Sequence, residues 1–118
     1  NGVQLAGHAQ VFDHATFGGL SGVAQFVKVG ESAFVAAGAM CERDVPPFVV
    51  VQGDRARIRA LNKVGLLRRG LDEETVAVLA RAYAAIFGSR LPRAQAIAEL
   101  PEDLRTNRWV ARLLAALE

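Results

Sequence analysis

An apolar residue returns at every sixth position over the first third of this chain. Leu5, Val11, Phe17, Val23, Val29, Val35 and Cys41 head consecutive blocks of six. Ala9, Ala15, Ser21, Val27, Ala33, Ala39 and Val45, all small or β-branched, follow four places behind them. Neither a helical period of about 3.6 residues nor strict alternation reproduces this spacing. A hexapeptide period signals a parallel β-helix. Each block makes one flat face, the head points inward, a small residue fits the crowded corner, and three faces make a turn of about 18 residues. Each turn buries its apolar side only against neighbouring turns. Residues 1–46 supply roughly two and a half turns, short of the roughly three that a solenoid needs with a cap on its open end. The chain opens on Asn1, already inside the pattern, and is expected to be a piece of a longer protein.

The period stops at DVPPF, where Pro46 and Pro47 remove two backbone donors. VVVQG then reads as one more short strand, broken by Gly53. Beyond Asp54 the pattern turns helical. Ile58, Leu61, Gly65 and Leu67 predict a helix over about 55–69, capped by Asp54 and ended by Gly70. Asp72 caps a second helix, with Glu73 and Glu74 in its first turn. Val76, Leu79, Ala80, Tyr83, Ile86 and Phe87 line that helix before Gly88 ends it. Pro92 opens a third helix that Pro101 closes, and Trp109, Val110, Leu113, Leu114 and Leu117 mark a fourth. The expected organisation is mainly β plus α: residues 1–53 as the last coils of a hexapeptide-repeat β-helix, and 54–118 as a helical C-terminal domain. The apolar helix stripes read as packing surfaces.

The single cysteine, Cys41, excludes an intrachain disulfide and a cysteine-rich metal site, and reads as a small buried apolar residue. No apolar run approaches the ~18 residues of a membrane span and no secretory signal is present, so a cytoplasmic protein is expected. Net charge is only +2, yet the stretch 55–69 (RARIRALNKVGLLRR) carries Arg55, Arg57, Arg59, Lys63, Arg68 and Arg69 and no acid. Three readings are open: a solvated helix face, a phosphate site built on guanidinium forks, or a docking strip for an acidic protein. Nucleic acid fits poorly, because no recognition motif and no interleaved aromatics accompany the charge.

His8 and His14 occupy the same place in successive blocks. Successive blocks lie on different faces, so the two imidazoles diverge by roughly 120° and a shared metal is not expected. Each is either an ordinary surface histidine or a general base for a hydroxyl at neutral pH. Repeat geometry alone does not choose.

NGVQLAGH, FGGLSGVAQF, DVPPFVVVQGDRA and LNKVGLLRRGL occur in this order and spacing. Together they resemble the C-terminal part of the UDP-N-acetylglucosamine acyltransferases, the enzymes that begin lipid A synthesis. The resemblance is strong over about 1–90 and looser beyond. It implies a left-handed parallel β-helix followed by helices, a homotrimer with active sites in the clefts between subunits, and no metal or bound cofactor. The acyl donor would be acyl carrier protein bearing phosphopantetheine. A 3-hydroxyacyl group would pass directly to the 3-hydroxyl of UDP-N-acetylglucosamine, with a histidine as general base and a backbone N–H at the oxyanion.

The resemblance also implies roles for individual residues. Gly7 matches the glycine whose N–H faces the oxyanion. His8 matches the histidine lining the cleft, Gln25 a sugar-nucleotide contact, and Asn62 a ligand contact. Arg68 and Arg69 match the arginine pair near the nucleotide phosphates and the carrier surface. Phe34, Ala37 and Met40 are candidates for the ruler that sets acyl length, and the bulk of Phe34 and Ala37 suggests a shorter chain; coil packing explains them equally. Three departures stand out. Ala24 replaces the histidine of the family's HQF segment, Val64 stands where an acid is expected, and the family's base belongs two coils before Gln25, ahead of Asn1. These departures leave room for a related transferase acting on an amino-sugar nucleotide, or for a non-catalytic trimerisation or carrier-binding piece. The chain by itself is expected to be inactive.

Overall fold

The computed structural model describes residues 1–118. Seven two-residue strands come first: β1 (Gln4–Leu5), β2 (Gln10–Val11), β3 (Thr16–Phe17), β4 (Gly22–Val23), β5 (Lys28–Val29), β6 (Phe34–Val35) and β7 (Met40–Cys41). They stack in parallel on three faces: β1-β4-β7 on the first, β2-β5 on the second, and β3-β6 on the third. Leu5 lies against Val23 and Val23 against Cys41, a step of 18 residues that places each head one turn above its predecessor.

Between faces the backbone reverses by a four-residue turn. Ala9 N–H donates to Ala6 C=O, and the same bond joins 15 to 12, 21 to 18, 27 to 24, 33 to 30 and 39 to 36. The third residue of each turn has positive φ: His8 60°, His14 62°, Leu20 59°, Phe26 65°, Ser32 52° and Gly38 72°. This is the type II pattern, which wants glycine or asparagine there. Histidine also tolerates left-handed backbone better than most residues. The shared place of His8 and His14 is therefore a property of the turn. The fourth turn position is the small one: Ser21, Val27, Ala33 and Ala39 are buried there.

The period does not stop at the two prolines; one turn is shortened. Val45 bridges Val29, and β8 (Val49–Gln52) pairs in parallel with β6, Val51 against Val35, both at a step of 16. Gly30 makes this possible, since a Cβ there would lie 2.5 Å from Pro47 N. The coil interior is Val23, Val27, Val29, Ala33, Val35, Ala39, Cys41, Val45, Val49 and Val51.

The expected helix over 55–69 is wrong in its first half. Arg57–Leu61 is a strand, β9, antiparallel to β8 after a loop through Gly53, whose φ is 108°. Ala56 and Ile58 are half-buried while Arg57 and Arg59, which alternate with them, are exposed. Helix α1 is Lys63–Arg69, capped by Asn62 instead of Asp54, with Gly70 in left-handed conformation past its end. Helix α2 (Glu73–Phe87) has the expected cap, Asp72, whose carboxylate accepts from Thr75 N–H at 2.8 Å. Pro92 precedes α3 (Arg93–Ala98), and Pro101 opens a further short helix, α4 (Glu102–Arg105), that the sequence reading missed. Helix α5 (Arg108–Leu117) follows Asn107, whose side chain accepts from Trp109 and Val110 N–H. A second core of Phe48, Leu61, Leu66, Val76, Leu79, Ala82, Ile86, Leu100, Leu104, Val110 and Leu113 holds the helices, with Tyr83 and Phe87 packed against both cores. No helix is long and apolar enough to cross a membrane.

Candidate active-site cleft

The turns stack into three corner columns. One holds Gly2, Leu20 and Gly38, the next His8 and Phe26, and the third His14, Ser32 and Phe48, which also has positive φ (70°). Coil-to-coil bonds tie each column: Gly38 N–H donates to Gly19 C=O at 2.9 Å in the first, Phe26 N–H to Gly7 C=O at 3.2 Å in the second, and Ser32 N–H to Asp13 C=O and Phe48 N–H to Glu31 C=O, both at 2.9 Å, in the third.

Gly7 and Gln25 fall together beside the second column. A Cβ on Gly7 would lie 3.6 Å from Gln25 Nε2. Both residues are exposed, as is His8, whose ring stacks on Phe26 with centroids 4.9 Å apart and planes 3° from parallel. Gly7 N–H has no partner in the chain, but neither has the N–H of Asp13, Gly19, Gln25, Glu31 or Ala37 at equivalent places. A free donor is thus a property of every corner; the stacking with Gln25 and His8 singles out Gly7. His14 is exposed at the adjacent corner and does not join this group.

Asn62, Arg68 and Arg69 lie elsewhere, on α1 against the third corner. Asn62 is buried; its Nδ2 donates to Ser32 C=O at 2.8 Å and its Oδ1 accepts from Gly65 N–H at 3.1 Å. Arg69 donates through Nη1 to Glu31 Oε2 and to Ser32 Oγ, both at 2.9 Å, and lies over the Trp109 ring at 5.2 Å. Arg112 reaches the other Glu31 oxygen at 3.2 Å and covers the same ring at 4.8 Å. Asn62 and Arg69 therefore fasten the helices to the coil. Arg68, Lys63, Arg55, Arg57 and Arg59 remain exposed, divided between α1 and the β8–β9 hairpin instead of lining one helix. The roles of Glu31 and Trp109 carry no local signal, since the two lie 38 and 40 positions from Arg69 along the chain.

The three ruler candidates surround the first corner. Met40 lies on the first face, folded across Gly22; Ala37 is exposed on the corner; Phe34 is half-buried on the third face. Of the three, only Met40 lines the hollow on the first face, which is floored by Ala6 and Ala24 and edged by Gln4, Glu42 and Asp54. Burial pushes the Cys41 thiol above its ordinary value, which disfavours the thiolate a nucleophile needs. No three His, Cys, Asp or Glu side chains come close enough to share a metal ion.

Residues 44–118 match the model of the UDP-N-acetylglucosamine O-acyltransferase family, domain 2. The chain is 43% identical over 100 residues to the acyl-[acyl-carrier-protein]–UDP-N-acetylglucosamine O-acyltransferase of Synechocystis, which covers 85% of this chain and 36% of that protein. It is 39% identical to the same-named protein of Stenotrophomonas maltophilia over all of this chain and 45% of the relative. Among solved structures, the Arabidopsis UDP-N-acetylglucosamine acyltransferase superposes with a TM-score of 0.94 at 34% identity, covering 98% of this chain and 42% of that one. The Moraxella catarrhalis UDP-N-acetylglucosamine O-acyltransferase superposes at 0.91 with 32% identity, covering 99% and 46%. The chain thus spans less than half the length of these relatives. With a family model matching most of its length and the stacked-coil fold common to those structures, the chain belongs to the UDP-N-acetylglucosamine O-acyltransferase family.

Proposed function

We propose that this chain supplies the later coils and the helical part of an enzyme that moves a 3-hydroxyacyl group from acyl carrier protein to the 3-hydroxyl of UDP-N-acetylglucosamine, the opening step of lipid A synthesis. The observation that carries the reading is the stacking of Gly7 and Gln25 beside His8 on one corner of the coil. In this reading the coil winds left-handed, residues 1–53 close it and residues 54–118 form the appended part. The general base sits in the same column, two coils before Gln25.

The base removes the proton of the sugar hydroxyl, whose oxygen attacks the thioester carbonyl. The Gly7 N–H meets the oxyanion, which collapses and expels the phosphopantetheine thiolate of the carrier; the proton held by the base then goes to that thiolate. A donor fixed on the backbone needs no reorganisation as the charge develops. Gln25 and His8 contact the sugar nucleotide. Arg68, with Lys63 and the hairpin arginines, offers positive charge to the pyrophosphate and to the acidic carrier. Arg69 and Asn62 serve the same site through α1, whose position they fix.

The two groups of residues occupy different corners, which supports a site completed by a neighbouring subunit of a homotrimer. Phe34, Ala37 and Met40 would then measure the acyl chain across that boundary. The enzyme would act in the cytoplasm with no cofactor beyond the carrier's own phosphopantetheine.

The test is an assay of the full-length protein with 3-hydroxyacyl carrier proteins of graded length. The reading expects a UDP-3-O-acyl product, identified by mass spectrometry. Acylation only of the 3-amino analogue of the sugar nucleotide would favour the amino-sugar reading that Ala24 and Val64 suggest, and no transfer to either acceptor would refute both.

A further inference from the structure

We propose that Phe26 is a positioning residue that holds the His8 imidazole in place beside Gly7. The inference rests on the reading of His8 as a substrate contact.

Phe26 and His8 hold the same place in successive coils, with φ of 65° and 60°. Identical backbone conformations one coil apart send the two side chains out in parallel. Their 4.9 Å centroid separation matches the strand spacing of about 4.8 Å, and their planes differ by only 3°. The repeat itself thus builds the stack, and Phe26 N–H, donating to Gly7 C=O, pins it to the residue before His8.

Phe26 belongs to neither apolar core of the chain, so packing within the chain does not call for an aromatic side chain there. A bulky residue with φ near +60° is strained, and the turn would be served better by glycine, as it is at Gly38. Phe48 is also a left-handed phenylalanine, but it is fully buried in the helical core and its packing accounts for it. Phe26 is 64% exposed and its one aromatic contact is His8. Leu20 is likewise left-handed and 75% exposed, so strain alone does not mark Phe26; its parallel stack on His8 does.

That work follows from stacking. An exposed histidine samples several rotamers, and an offset parallel ring favours one of them. Loss of the stack lowers the fraction of competent His8 and raises the apparent dissociation constant by that fraction, about twofold to tenfold.

The experiment uses the full-length protein with Phe26→Gly, Phe26→Leu, Phe26→Tyr, His8→Ala and the double variant His8→Ala/Phe26→Gly. The readouts are KM for UDP-N-acetylglucosamine, the ring-proton shifts of His8, and the unfolding midpoint. Phe26→Gly and Phe26→Leu are expected to raise KM by about twofold to tenfold and to abolish the upfield ring-current shift of His8, and Phe26→Tyr to restore both. Phe26→Gly relieves the strained backbone, so its midpoint stays at or above that of the parent; a merely structural residue would lower it. The double variant is expected to be no worse than His8→Ala. Independent, multiplying effects, or a normal KM in Phe26→Gly while His8→Ala is impaired, would overturn the inference alone. Parental kinetics in His8→Ala would overturn the substrate-contact reading and this inference with it.

Discussion

Arg69 and Glu31 meet at 2.9 Å, both side chains about five-sixths buried, and tie the first helix to the third corner of the coil. Arg112 takes the second carboxylate oxygen, and Trp109 lies under both guanidinium groups. One carboxylate thus anchors two arginines from two helices. Truncating Glu31 removes the counter-charge from both and leaves Arg69 a single hydrogen bond, to Ser32 Oγ.

Glu31→Ala is therefore expected to destabilise the protein by about 1–3 kcal/mol, through lost charge-assisted hydrogen bonds and an unpaired, mostly buried Arg69. Urea denaturation would show it as a lower midpoint. Arg68→Ala, at an exposed position on the same helix, should leave the midpoint within about 0.5 kcal/mol and weaken binding of the sugar nucleotide. The reverse assignment, with Arg68 structural and Arg69 dispensable, would contradict the geometry.

Two glycines of the coil should respond differently to alanine. A Cβ at Gly30 meets the Pro47 backbone at 2.5 Å, so Gly30→Ala is expected to cost about 1–3 kcal/mol in thermal or chemical unfolding. A Cβ at Gly7 meets only the end of Gln25 at 3.6 Å, an ordinary contact. Gly7→Ala should fold with near-parental stability and lose activity, because its methyl group would stand against Gln25 and crowd the oxyanion proposed to meet the Gly7 N–H.

Asp72 supplies a pH dependence of known sign. Hydrogen bonds from the Thr75 side chain and N–H hold its carboxyl below the ordinary value of 3.8. A depressed carboxylate stabilises the fold above its unfolded pKa, and that contribution is lost as pH falls through the lower, folded value. Stability measured from pH 7 down to strong acid should decline less steeply in Asp72→Ala than in the parent.

The coil was readable because its signal is local and repeated. Each head from Val23 onward is buried by the same geometry, and the fourth turn position admits only small side chains at Ala33 and Ala39. The cap at Asp72 and the stop at Gly88 were equally local. Strand β9 was missed because Ile58 and Leu61 suit a helix as well as a strand, and pairing with β8 decided between them. Two residues were lost from one turn at Pro46 and Pro47, which the sequence showed only as an end to the pattern. The alignment of Gly7 with Gln25 followed from counting by coils. The fastening roles of Asn62 and Arg69 did not, since Ser32 and Glu31 lie 30 and 38 residues away.

The central claim is that the base lies in the column of Gly7 and Gln25, upstream of both, and is neither His8 nor His14. The most direct measurement is kcat of the full-length protein carrying His8→Ala and His14→Ala together, at saturating sugar nucleotide. The account predicts a raised KM with kcat reduced less than about tenfold, because general-base catalysis is intact. A fall in kcat of about a hundredfold or more, the loss expected when a general base is removed, would contradict it.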